Sequence, residues 1–217
     1  MNRGIVLVLS GYVMWGAFPI YWTLLNHVNP SEVLIHRIVW SIPILFLLVY
    51  FKKSWQSNFK ESISSKKELF FLFLTSILIT LNWGGYILAV NLGRVVEASM
   101  GYFLSPVISM IGGYIFFHER ISRLKQWAVF FATLGAIYYV FSGDSFPWLG
   151  FLIGITFSSY AIARKAMITL PVPGLYIETL VLFPLIFIFS FWYYANFEVA
   201  IFNMDLSTDI LLILGGL

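Results

Sequence analysis

Apolar residues run along this chain in blocks of about 20, the length that crosses a bilayer core of about 30 Å, with short polar breaks between them. The blocks predict helical spans at residues 4–25, 33–51, 69–90, 95–117, 127–141, 148–167 and 175–194. The fifth is short, but the stem of Lys125 extends it. The most polar segment, residues 52–68, lies between the second and third spans and carries Lys52, Lys53, Lys60, Lys66 and Lys67. An eighth apolar run begins at Ile210 and stops at Leu217. It is too short to span, and a helix ending in lipid leaves carbonyls without partners. The expectation is a fragment cut inside its eighth helix, with a short amphipathic tail as the alternative.

Composition makes the class firm. Hydrophobic residues are 60% of the chain and charged residues 11%, about half the charged share of a soluble domain. So few charges cannot cover the apolar surface against water. The chain reads as an all-α polytopic membrane protein, with the lipid bilayer as its first partner. Cysteine is absent, which excludes disulfides and thiolate metal sites.

Charge then sets an expected orientation. With the N terminus inside, the inner segments hold Arg3, the five lysines of 52–67, Arg120, Arg123, Lys125, Arg164 and Lys165. Of thirteen Lys and Arg residues only Arg94 falls outside, and Arg37 lies within the second span. Asp144, Glu198, Asp205 and Asp209 fall on the outer side. This asymmetry predicts a cytoplasmic N terminus.

Polar groups at membrane depth are costly and usually face a protein interior or a wet cavity. They concentrate between residues 81 and 120, where two long apolar runs are joined only by Asn91, Leu92, Gly93 and Arg94. Asn82 and Tyr86 share one helix face, and Ser99, Tyr102 and Pro106 follow a similar stripe on the next helix. Such stripes either glue helices together or line a cavity. Arg94 and Glu97 are i,i+3 at a helix start and are expected to pair. Trp15 and Tyr21 read as pocket or interfacial aromatics. Arg37 lies roughly 10 Å below the outer surface by helical rise, level with Glu32 and Glu97, which are its expected partners. Glu178 enters from the inner side and is expected to meet Arg164 or Lys165. Glu97 and Glu178 are the candidates for a proton-coupled carboxylate.

An internal match accompanies these charges. Residues 31–46 align without gaps on 172–187, placing Pro43 on Pro184 and Arg37 on Glu178. The two segments lie in the second and seventh spans, an odd offset of five, so the matched helices run in opposite directions, as in the inverted repeats that build transporters.

Asn82-Trp83, Ala89-Val90-Asn91, Gly93-Arg94, Glu97-Ala98-Ser99, Gly101-Tyr102-Phe103 and Pro106 together resemble the RarD group of the EamA-type drug/metabolite transporter superfamily. The resemblance implies ten helices in an inverted repeat of five, of which this sequence holds about seven and a half. Residues 1–145 form the first repeat and 146–217 an incomplete second. It also implies a secondary transporter in a bacterial inner membrane. Members have been named for chloramphenicol sensitivity. One departure is Gly84-Gly85, which stands where an aromatic and an aliphatic residue are usual and is expected to reshape the pocket.

Enzyme signals are weak. His118-Glu119-Arg120 lacks the second histidine of a zinc helix, and His27, His36 and His118 are scattered. No G-x-S-x-G elbow or phosphate-binding loop is present. The expected partners are a small-molecule substrate and the bilayer, with a homodimer left open, and neither cofactor, metal nor nucleic acid. The competing reading is a non-transporting membrane protein or partner-binding scaffold.

Overall fold

The computed structural model describes residues 3–143 and 145–216, so Asp144 and the terminal Leu217 lie outside it. Its described residues form nine α-helices and no strand. These are α1 Arg3–Thr23, α2 Pro30–Phe51, α3 Lys53–Ser64, α4 Lys66–Asn91 and α5 Val95–Phe117. The chain continues with α6 Arg123–Ser142, α7 Trp148–Lys165, α8 Pro171–Asn196 and α9 Leu206–Leu214. Each predicted span is a helix. Helices α2, α4, α5, α6 and α8 are long and apolar enough to cross a membrane. The chain is an all-α polytopic membrane protein.

Local chemistry sets the helix boundaries. Asn29 accepts from the Ser31 N–H at 2.9 Å and Pro30 opens α2, where its missing N–H costs nothing. Ser65 caps α4 through the Glu68 N–H. The α4–α5 turn closes in three residues because Gly93 takes a left-handed φ of 72°. The polar segment, expected only as a Lys-rich connection, contains the helix α3. That helix turns Asn58 and Ser62 towards the backbone and hydroxyl groups of residues 168–170 and leaves Lys53 and Lys60 exposed.

Consecutive connections gather alternately at two ends of the bundle. At one end Asn91 reaches the Asn26 and Val28 carbonyls, and His27 meets Thr208. At the other, α3 and the start of α4 hold the α7–α8 connection. Helices α2 and α8 pack antiparallel: His36 near the start of α2 meets Tyr194 near the end of α8, and Phe46 meets Tyr176.

Helix α7 sits against both α4 and α5. The α5–α7 seam is close because glycines face backbone: a Cβ at Gly101 would meet the Gly150 carbonyl at 2.5 Å, and one at Gly154 the Gly101 carbonyl at 2.8 Å. Gly84 and Gly85 face the ends of side chains instead of backbone. A Cβ there would press on Leu34 and Leu152, and neither residue lines the cavity described below. They sit against the side chains that pack α4 on α2 and α7 and do not themselves line the pocket.

The outer surface is apolar. Leu124 and Phe141 of the α6 region are each 84% exposed, and Ala136 is the one buried residue along α6 among those described. Exposure on this scale fits contact with lipid rather than water.

Candidate functional site

A cavity of about 450 Å³ opens between α1, α2, α4, α5 and α7. That is within the usual range for small-molecule sites. Helix α1 contributes Tyr12, Trp15, Pro19 and Trp22. These positions recur every three or four residues and so form one helical face. Trp15 stacks on Tyr102 of α5, with centroids 6.1 Å apart and planes at 21°. Phe157 of α7 packs edge-on against both rings, and Tyr86 of α4 lies 5.5 Å from Tyr102.

One polar network crosses this wall. The Tyr102 hydroxyl donates to Asn82 Oδ1 at 3.1 Å. Asn82 Nδ2 donates to the Ile153 carbonyl at 3.0 Å, with Thr156 Oγ1 at 3.4 Å. Asn82 is 1% exposed, so these bonds are what make its burial tolerable, and they join α4, α5 and α7. Ser99 and Pro106 complete the α5 side. Pro106 withholds the N–H that the Tyr102 carbonyl would otherwise accept.

Among the described residues Arg37 is the one charged residue lining the cavity. The sequence suggested Glu97 or Glu32 as its partner, and the structure shows neither. The guanidinium lies 4.3 Å from the Trp83 ring centroid and 5.0 Å from that of Trp22. Both glutamates point instead to backbone N–H groups at the loop end. Glu32 accepts from Ala200 and Ile201, at 2.9 and 3.1 Å. Glu97 accepts from Leu149 and Gly150 and pairs with Arg94 Nε at 2.6 Å. Both glutamates stand in the first turn of their helices, whereas Arg37 lies five residues beyond Glu32, about 7.5 Å deeper, so the expectation failed on depth as well as on rotation about the helix.

Seven of the twelve sequence-selected residues thus line one cavity: Trp15, Arg37, Asn82, Tyr86, Ser99, Tyr102 and Pro106. Five do not. Tyr21 donates to the Leu211 carbonyl. Asn91, Arg94 and Glu97 tie loops together at the bundle end. Glu178 forms a separate buried cluster: Thr75 Oγ1 donates to it at 2.7 Å, Tyr160 at 3.2 Å, and Arg164 Nη1 stands 3.6 Å away. Gly174 leaves the space that the Arg164 guanidinium fills. Lys165, the alternative partner, instead meets Glu119.

Tyr12, Trp22, Trp83 and Phe157 line the cavity without having been selected. The spacing of Tyr12, Trp15, Pro19 and Trp22 on α1 was a legible signal. Trp83 stood in the Asn82-Trp83 motif without being chosen, and Phe157 carried no signal, because apolar spans are rich in aromatics on every face.

Among the described residues no group of three or more His, Cys, Asp or Glu converges to hold a metal.

Comparison with known proteins gives the chain's family. The chain is 36% identical over 186 residues to the uncharacterized transporter YojE of Bacillus subtilis, a match covering 85% of this chain and 62% of YojE. It is 36% identical over 187 residues to the uncharacterized transporter PA0485 of Pseudomonas aeruginosa, covering 85% and 62%. It is 31% identical over 216 residues to the protein RarD of Escherichia coli, covering 100% of this chain and 73% of RarD. The chain therefore spans just under two thirds of the length of the first two relatives. No solved structure matches it. The profile of the EamA-like transporter family matches residues 2–142, and with these relatives it shows that the chain belongs to that family, as a RarD-type member.

Proposed function

We propose that the cavity is the substrate site of a secondary transporter that moves a small molecule by alternating access, and that the chain has no enzymatic role. The observation that carries this reading is a cavity at mid-helix depth whose walls come from both sides of residue 145: α1, α2, α4 and α5 before it, α7 after it. Under the inverted-repeat reading, 1–145 is one five-helix unit and 146–217 is part of a second. The antiparallel packing of α2 on α8, with Pro43 and Pro184 inside them, supports this pairing. A site between repeats near the midplane is where rocking of one unit against the other exposes a ligand to each face in turn. The membrane is the bacterial inner membrane, and the N terminus is cytoplasmic, since the end carrying α3 and its lysines is the positive one.

The absence of cysteine makes a direct test clean. Single cysteines replace Ser99 or Ser109, both cavity-lining, and are exposed to a membrane-impermeant thiol reagent in right-side-out and inside-out vesicles. Alternating access predicts labelling from both faces. Labelling from one face only would overturn it and favour the scaffold reading. Cysteines at the exposed positions Ser64 and Ser145 report orientation, with Ser64 expected to label only from the cytoplasmic face.

A further inference from the structure

We infer that Arg37 is the ligand-anchoring residue of the cavity and that it takes a small organic monoanion, a carboxylate on an aromatic or otherwise apolar body. This inference rests on the transport reading above and names the substrate class for that site.

The case begins with unbalanced charge. No carboxylate lies within ion-pairing reach of Arg37 among the described residues. The buried glutamates nearest in sequence level are committed elsewhere: Glu32 to the N–H groups of residues 200 and 201, Glu97 to Arg94 and the start of α7. Glu178 is held by Thr75, Tyr160 and Arg164. A cation kept at membrane depth without a counter-charge is costly, and such residues mark binding pathways by default.

The way Arg37 is held shows which part of it is free. Trp83 and Trp22 engage the guanidinium as a cation–π pair of rings. Its N–H groups are barely used. Nη1 reaches the Gly215 carbonyl only at 3.4 Å, and Nε is buried with no hydrogen-bond partner. Nε is enclosed, so the end of the fork, the two Nη groups, is the part left to meet a planar carboxylate.

The remaining lining decides the rest of the ligand. Trp15, Tyr86, Tyr102 and Phe157 offer aromatic surface to an apolar body, while the Tyr102 hydroxyl is spent on Asn82 and the Asn82 amide on Tyr102 and the Ile153 carbonyl. A dianion such as a phosphate monoester would meet one cation and no second. An amine would meet a like charge. A neutral ligand would leave Arg37 uncompensated.

The test uses the full 217-residue chain in lipid nanodiscs and three probes of one shape: phenylacetate, phenylacetamide and 2-phenylethylamine. Binding is followed by tryptophan fluorescence, since Trp15, Trp22 and Trp83 all line the site. Phenylacetate is expected to bind about tenfold tighter than the amide, with the amine weakest. Arg37→Gln should bring acid and amide to parity, and Arg37→Lys, which keeps charge but loses the fork, should retain part of the preference. Equal or better binding of the amide by the unmodified chain overturns the inference, as does binding of none of the probes. So does an acid preference that survives in Arg37→Gln. The unmodified chain decides the matter even where a variant fails to fold. Cysteine labelling needs no ligand, so the two readings fail separately. Amide preference with two-sided labelling removes the anion and leaves the transporter; acid preference with one-sided labelling does the reverse.

Discussion

Glu32, Glu68 and Glu97 each sit in the first turn of a helix, and each carboxylate reaches across to backbone N–H groups that lead into a different helix. Glu68 meets the N–H groups of Ile168 and Thr169 just ahead of α8, at 3.4 and 3.2 Å. All three are at most 4% exposed. A buried donor left unpaired costs about 1–3 kcal/mol, so Glu32→Leu, which orphans two, is expected to cost about 2–6 kcal/mol. Glu32→Gln keeps an acceptor and should cost less. Thermal unfolding in detergent compares the two, and equal midpoints would show that the N–H contacts contribute nothing. Asp205 makes an exposed counterpart at the start of α9. Hydrogen bonding from the Thr208 side chain first, then from the Thr208 N–H and the Ser207 hydroxyl, holds its carboxyl down to about 2, below the ordinary 3.8. A depressed acid stabilises fully above its unfolded value and loses that contribution as pH falls through the folded one. Amide exchange at Thr208, corrected for its intrinsic pH dependence, should therefore stay protected at pH 4 and lose protection near pH 2, and Asp205→Asn should flatten that change.

Between elements, the seam of α5 and α7 controls the position of the cavity wall. Gly101, Gly150 and Gly154 let the two backbones approach, and this approach places Tyr102 beside Phe157 and lets Asn82 reach the Ile153 carbonyl. Gly154→Val would drive a side chain into the Gly101 carbonyl region, an overpacking expected to cost about 1–3 kcal/mol. It should lower the unfolding midpoint and alter labelling at a cysteine placed at Ser99. Gly135 of α6 has open space around it, so Gly135→Val is the control expected to leave labelling unchanged. Helix bounds were legible in advance because apolar run length and Pro, Gly and Asn breaks act locally. Helix α3 was not, since its stabilising partners, residues 168–170, lie more than a hundred positions away.

At the scale of the whole molecule, the apolar exterior and the alternation of connections between two ends both follow from a chain that crosses a bilayer repeatedly. Run length and low charge determined the class and the succession of spans, because these depend only on what each segment exposes to lipid or water. The sequence also marked most of the polar and aromatic residues worth attention, since a polar group at membrane depth is conspicuous by its cost. Which of them meet was decided by tertiary structure alone. Asn82, Tyr102 and Arg37 converge on one cavity, whereas Glu97 turns to the start of α7 at the bundle end and Glu178 closes a separate cluster with Arg164. Spacing along a helix reports depth, but rotation about the helix axis and the identity of the neighbour arise only when close-packed helices fix both.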